Sequence, residues 1–178
     1  MPVIAERSTE RLPGDAGLSL LEVVVAMSIM LVVALGLLPL GMIAVTATEN
    51  EGHLVARATE YSQDKMEQLL ALAYNDASTD TRVFPAAAAG GTGLAVGGGA
   101  NPSAPVAGYV DYLDYDGNLV AASGTVAPAN WFYRRVWQVS SPFTNMKQVT
   151  VTTVVARGVG SAGRIPRATL VVLKSNPF

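Results

Sequence analysis

Residues 13–45 read PGDAGLSLLEVVVAMSIMLVVALGLLPLGMIAV, a stretch that is almost wholly apolar after Glu22. From Val23 to Val45 the only polar side chain is that of Ser28. At ~1.5 Å per helical residue this run is roughly 35 Å long, which is enough to cross the core of a bilayer. The sequence therefore predicts a helix over residues 18–48 that is able to span a membrane.

Glu22 is a carboxylate at the N-terminal edge of this apolar run. An unpaired charge buried in lipid costs about 3 kcal/mol or more, so an acid in this place calls for a partner. An ordinary interfacial glutamate is the simpler alternative. We favour a paired carboxylate because of the residues that precede it.

Residues 1–17 are polar, mixed in charge, and end in Gly-Asp-Ala-Gly at 14–17. A secretory signal peptide is cleaved after its apolar region, beside small residues, and residues 44–47 offer only a weak version of that pattern. The better processing site lies before the apolar run, between Gly17 and Leu18.

These residues resemble the class III signal of the type IV pilin superfamily, in which a short charged leader ends in glycine. A hydrophobic residue follows, and a glutamate stands fifth in the mature chain. Gly17, Leu18 and Glu22 match those positions, although Leu18 replaces the more usual Phe or Met. The resemblance implies cleavage after Gly17 by a prepilin peptidase and N-methylation of Leu18. It also implies that Glu22 pairs with the amino terminus of a neighbouring subunit during assembly.

Gly36, Pro39 and Gly41 weaken the second half of the predicted helix. A proline inside a helix removes a hydrogen bond and clashes with the preceding turn, at about 3 kcal/mol. We expect a kink here, and many type IV pilins carry a kinking proline at the corresponding place.

Residues 49–74 predict an amphipathic continuation of the helix after it leaves the membrane. Its apolar positions recur every three or four residues, at Leu54, Ala58, Tyr61, Met66, Leu69 and Ala73. Leu69 and Leu70 are the expected contacts with the strands. The polar residues Glu60, Asp64, Lys65 and Glu67 are expected to face elsewhere.

Residues 75–105 are rich in Ala and Gly and are expected to form a flexible, linker-like loop over one side of the head. Residues 106–178 read as antiparallel strands at 106–115, 118–122, 131–140, 146–157 and 167–174, with Asp116-Gly117 as a hairpin turn. In the third strand, alternation places Trp131, Tyr133, Arg135 and Trp137 on one face. The predicted fold is α+β: a long hydrophobic helix packed against a small antiparallel β-meander head.

The composition offers little chemistry. The chain of 178 residues has a net charge of -2, one histidine and no cysteine, which excludes disulfides, thiol catalysis and a lipidated cysteine. His53 is expected to be a solvated helix residue. Asp111, Asp114 and Asp116 lack the further ligands of a calcium loop and are expected at a hairpin tip. We predict no enzymatic activity, no metal and no cofactor.

No acidic residue follows Asp116, yet seven basic residues do. Six of them are candidates for contact with DNA or with a neighbouring subunit: Arg134, Arg135, Lys147, Arg157, Arg164 and Arg167. Aromatic residues among basic ones favour nucleic acid. A solvated sheet face, or one that meets the acidic helix residues of a neighbour, is the favoured alternative.

The sequence therefore predicts a minor pilin, most similar to those of the PilV type, that acts in type IV pilus assembly. It would lie in the bacterial inner membrane with a cytoplasmic N terminus and a periplasmic head, and then enter a filament. Its partners would be other pilins, the prepilin peptidase and methyltransferase, the assembly platform and membrane lipid. The alternatives are a type II secretion pseudopilin and an adhesin subunit that binds DNA or a surface.

Overall fold

The computed structural model describes residues 19–120, 124–156 and 165–176. The chain divides into two compact units, one ending at Ala44 and the other beginning at Val45. A single helix, α1 (Leu20–Ala71), begins in the first unit and ends in the second. The strands are β1 (Gly97–Gly98), β2 (Val110–Leu113), β3 (Leu119–Val120), β4 (Tyr133–Phe143), β5 (Met146–Val155) and β6 (Arg167–Ser175). This α+β arrangement is the predicted one.

The strands form one antiparallel sheet in the order β3-β2-β4-β5-β6, and β1 lies beside β4. Strands β4, β5 and β6 form a meander, whereas β2 and β3 form a hairpin attached through β2. Gly117 in this hairpin has a φ of 89°, and a Cβ there would lie 2.4 Å from the hydroxyl of Tyr61. Only glycine therefore lets the turn close against the helix.

The second half of α1 packs on one face of the sheet. Leu69 is fully buried, as predicted, and Met66 is nearly so. Val149 and Val151 of β5 lie beneath them, and the partly buried Leu70 contacts the same cluster. Strands rich in β-branched residues provide this surface because such side chains pack well on a pleated sheet. The helix ends at Ala71, so Ala73, predicted on its apolar face, lies beyond it.

The Ala/Gly-rich segment is folded onto the head, in contrast to the flexible linker expected from its composition. Its residue Leu94 is fully buried in the main core, and β1 pairs with β4. Glycines make this packing possible: a Cβ at Gly91 would lie 2.3 Å from the Cα of Asp80. The many glycines that suggested a flexible linker instead allow the backbone of this segment to pack closely against the head.

A smaller cluster covers the opposite face of the sheet. It consists of Val110, Tyr112 and Val136, with Trp131 packed against it. Trp131 was predicted on the same face as Trp137, but it precedes β4 and contacts Tyr112, with ring centroids 5.9 Å apart. The alternation rule fails here because Trp131 is outside the strand and is free of its two-residue period.

Leu69→Ala should lower the free energy of unfolding of the head by ~2–5 kcal/mol, because truncating a buried leucine leaves a cavity. The measurement is thermal or denaturant unfolding of the full chain in detergent. Val126→Ala, at a side chain that is 69% exposed, is the control and should change the stability by less than about 0.5 kcal/mol. Equal effects of the two variants would show that the helix does not pack on the sheet.

Candidate functional site

The helix start is built by Ser19 and Glu22. The backbone N–H of Glu22 donates to Ser19 Oγ at 3.2 Å, so Ser19 caps the helix. Serine followed three residues later by glutamate is the capping-box signature, and an acid in the first turn also interacts favourably with the helix dipole. This second use of Glu22 was not predicted, although the spacing of Ser19 and Glu22 carries the signal.

The side chains that follow Glu22 are apolar and uncovered within this chain. Leu20 is 84% exposed, and the large apolar residues up to Val45 are exposed as well. The hydroxyl of Ser28 donates to the carbonyl of Val24 at 2.7 Å, so this polar group is satisfied inside the helix. By length and composition α1 is able to cross a membrane. So large an exposed apolar surface needs lipid or other apolar helices around it.

The remaining residues predicted to act here are placed as follows. Gly17 and Leu18 lie outside the described residues. Gly36, Pro39 and Gly41 all lie within α1, which remains helical on both sides of the proline. A kink at this position stays a prediction.

In the head, four charged side chains form a second polar site, which joins α1 to the sheet. The buried carboxylate of Asp111 lies 2.7 Å from Lys65 Nζ and 2.8 Å from Arg135 Nε. Arg135 also reaches Asp64, with 2.7 Å between Nη1 and Oδ2. Lys65 further donates to the carbonyl and the hydroxyl of Thr81. We call Asp64, Lys65, Asp111 and Arg135 the ionic cluster; it contains two cations and two anions and is therefore neutral.

Burial and charge oppose each other in this cluster. Burial lowers the pKa of Lys65 to about 8, although the Asp111 carboxylate acts in the opposite direction. Burial would raise the pKa of Asp111, but the charges of Arg135 and Lys65 outweigh it and hold that pKa below the usual range. Asp111 is thus ionised at neutral pH. Its two cationic partners are what make a buried carboxylate tolerable.

Two expectations about these residues were wrong. Lys65 was placed on the solvent side of the helix, and Asp111 at a hairpin tip, yet both are fully buried. Lys65 tolerates burial because its stem lies in the core, where its ammonium is 4.1 Å from the ring centroid of Trp137. Of the three aspartates, Asp114 does stabilise the hairpin turn, by accepting the N–H of Asn118 at 2.8 Å.

The N-terminal part of the chain matches the model of a known protein family. Residues 13–38 match the family model of the prokaryotic N-terminal methylation motif. The match agrees with the resemblance of this segment to the class III signal of type IV pilin-like proteins. The match includes Gly17, Leu18 and Glu22, and it ends one residue before Pro39. No curated protein and no solved structure is significantly similar to the chain.

Among the described residues of the head, the basic side chains do not form one exposed face. Arg135 is buried in the ionic cluster, so its predicted place on a solvated surface is wrong. Arg134 is half-buried, with its guanidinium over the rings of Trp131 and Tyr112. Arg167 is exposed at the start of β6. Arg157 and Arg164 lie outside the described residues.

Lysines from the sheet complete the end of the helix. Lys174 of β6 donates to the carbonyls of Leu70 and Leu72, and Lys147 donates to the carbonyl of Tyr74 at 2.6 Å. The last carbonyls of a helix lack partners within the helix, and a cation there is favourable. Lys174 is therefore an internal cap of the helix, whereas Lys147 holds the segment that follows the helix; no local sequence pattern predicts either role.

Asp111→Asn should destabilise the head by about 3–5 kcal/mol, because it leaves two buried cations without their carboxylate. Asp116→Asn, at an exposed position in the neighbouring turn, is the control and should be close to neutral. Urea unfolding of both variants measures the difference. If the two variants were equally stable, the ionic cluster would not hold the helix to the sheet.

The same substitution should alter the acid limb of the stability curve. The pKa of Asp111 is lowered in the folded state, so its ionic contribution is present above about pH 4 and is lost as the pH falls through the folded-state pKa. The wild-type chain should lose stability below about pH 4 more steeply than Asp111→Asn. Parallel curves for the two proteins would contradict this assignment.

Proposed function

We propose that this chain is a minor pilin that acts in type IV pilus assembly as a filament subunit. The observation that carries the proposal is the methylation motif at residues 13–38, which leads into the uncovered apolar half of α1. In this proposal the helix holds the subunit in the inner membrane, with the N terminus cytoplasmic and the head periplasmic. It then moves into a bundle of similar helices.

Processing supplies the charge that Glu22 needs. Cleavage after Gly17 frees the amine of Leu18, which is then methylated by the same processing system. This amine meets the Glu22 carboxylate of a neighbouring subunit. In the low dielectric of a helix bundle the pair is far stronger than in water, and a lone partner is costly. An incoming helix is therefore held in register only where its amine finds a carboxylate.

The head acts in this proposal through contacts and performs no chemistry of its own. Its partners are other pilin-like subunits and the inner-membrane assembly platform. A subunit of a type II secretion pseudopilus uses the same anchor. We favour the pilus because the cysteine-free head resembles minor pilins of the PilV type. DNA binding is the weaker candidate, since Arg135 and Lys147 are already bound within the head.

Replacing Gly17 by a bulky residue should leave the chain at its precursor length in the membrane, because the peptidase needs a small residue before the cut. The measurement is N-terminal sequencing of membrane-extracted protein, which should begin at Leu18 in the wild type. Ala16→Leu, one residue earlier, is the control and should still be cleaved. A wild-type chain that began at Met1 or beyond Ala44 would sink the proposal.

Glu22→Ala should be inserted and cleaved normally yet fail to enter filaments, because it removes the carboxylate that pairs with the amine. The helix start is retained, since the Ser19 cap uses the backbone N–H of residue 22 and the loss of the first-turn acid costs only about 0.3–1 kcal/mol. Subunit content is measured by immunoblotting of sheared filaments and of membranes. Glu49→Ala, which removes an acid from the same helix beyond the apolar run, is the control and should be incorporated at the wild-type level. Normal incorporation of Glu22→Ala would rule out charge pairing as the assembly rule.

A further inference from the structure

The head contains a cleft lined by aromatic rings. Four rings follow one another edge to face: Tyr61 and Tyr133 with centroids 4.8 Å apart, Tyr133 and Phe132 at 4.9 Å, and Phe132 and Tyr115 at 5.0 Å. The cavity beside them has a volume of about 420 Å³, which is within the range of small-ligand sites. We call this cavity the aromatic cleft. Its other lining residues are polar apart from Leu54, and they are Asn50, His53, Arg57 and Asp116.

A buried tyrosine presents its hydroxyl to this cleft. Tyr133 is 2% exposed, yet its hydroxyl has no hydrogen-bond partner among the described residues. Arg134 Nε and Trp137 Nε1 are the unpaired polar atoms that the described side chains bury completely, and the Tyr133 hydroxyl is not one of them. The hydroxyl is therefore accessible from the cavity that Tyr133 lines. A largely buried polar group without a partner is costly, so this hydroxyl favours a ligand that can hydrogen-bond to it.

The electrostatics place this hydroxyl among the other residues of the cleft. Burial raises the pKa of Tyr133, and the neighbouring groups of Tyr61, Tyr115 and Arg57 also act on that pKa. Burial likewise raises the pKa of Tyr61. Both phenols are therefore protonated at neutral pH, and each offers an O–H donor to an occupant of the cleft.

Charges of both signs line the cleft, so it does not select an ion. The guanidinium of Arg57 is paired with Glu60 at 3.1 Å, and the carboxylate of Asp116 lines the same cavity. A quaternary ammonium ion would need open ring faces around it. The rings instead cover one another edge to face, with interplanar angles between 66° and 83°. The cleft therefore favours a neutral ligand.

We propose that the aromatic cleft binds a neutral saccharide. A sugar ring presents C–H groups on its faces and hydroxyls around its rim. The C–H groups pack on the negative face of an aromatic ring, and the ring of Tyr115, which is 69% exposed, is open to such a contact. The rim hydroxyls accept from the Tyr133 phenol and pair with the polar groups of Asn50 and Asp116. This site shares no residue with the N-terminal motif and goes beyond the proposed function.

The direct test is a titration of the purified full-length chain with three neutral disaccharides: maltose, lactose and N,N′-diacetylchitobiose. The protein is held in a detergent without a sugar headgroup, because such a headgroup would compete for the cleft. Binding is measured by calorimetry and by ligand-observed NMR. We expect at least one disaccharide to bind with a dissociation constant of about 1 mM, as is usual for a small, open site.

The hydroxyl of Tyr133 is tested by a matched pair of substitutions. Tyr133→Phe should weaken sugar binding about fivefold through loss of one hydrogen bond, and it should leave the melting temperature unchanged because that hydroxyl has no partner within the head. Tyr112→Phe is the control, since the Tyr112 hydroxyl donates to the carbonyl of Thr125 at 3.2 Å, outside the cleft. This variant should lower the melting temperature and leave sugar binding unchanged.

The open ring is tested in the same titration. Tyr115→Ala should weaken binding about tenfold, as expected for loss of a stacking surface. Phe143→Ala removes a ring that is 68% exposed at the end of β4, away from the cleft, and it should bind the sugar as the wild type does.

Three results would overturn the proposal. The first is no binding of any of the three disaccharides at concentrations well above the expected dissociation constant. The second is tighter binding of choline chloride or inorganic phosphate, which would show that the cleft selects an ion. The third is a Tyr133→Phe chain that melts at a lower temperature and binds sugar normally, because the hydroxyl would then be structural. Cleavage after Gly17 is measured separately, so each of these results would leave the proposed function intact.

Discussion

The carboxylate of Asp111 is the point on which the head depends. It joins Lys65 of the helix to Arg135 of β4, and through Lys65 it reaches the loop that holds Thr81. The buried carboxylate of Asp111 and its partners thus connect the helix, the sheet and the loop. A purely apolar contact between helix and sheet would tolerate small shifts, whereas this pairing is satisfied in one arrangement only. In a head without disulfides, it contributes the specificity that a covalent link would otherwise give.

The sequence predicted most of the secondary structure because its signals are local. The apolar run from Val23 to Val45, interrupted only by Ser28, predicts a long apolar helix, and the Asp116-Gly117 turn lies between two paired strands as expected. The burial of Leu69 was predicted correctly because the helical periodicity of apolar residues identifies the buried face. Lys65 was predicted on the wrong side of the helix, because amphipathic patterning assumes that a lysine faces solvent. Only a carboxylate from a distant strand makes its burial possible, and the pairing of residues 65 and 111 leaves no trace in either local pattern.

The two candidate sites differ in how far the sequence reveals them. Gly17, Leu18 and Glu22 lie close together in the sequence, so the motif is recognised without knowledge of the fold. The exposed ring of Phe84 was not predicted, because Phe84 lies in a segment that resembles a linker by composition. The rings of Tyr61, Tyr115 and Phe132 come from separate elements that only the folded chain brings together. Surfaces assembled from distant residues are recognised from structure alone.

The capping of the helix end by Lys174 has a consequence for the time course of synthesis. The carbonyl of Leu70 waits for a side chain 104 residues further along the chain. At the usual speed of translation, about 5–20 residues per second, that delay is roughly 5–20 seconds. The exposed apolar half of α1 is therefore synthesised several seconds before the side chain that completes the head. Covering of that apolar surface and closure of the head are thus separable in time, and the first does not have to wait for the second.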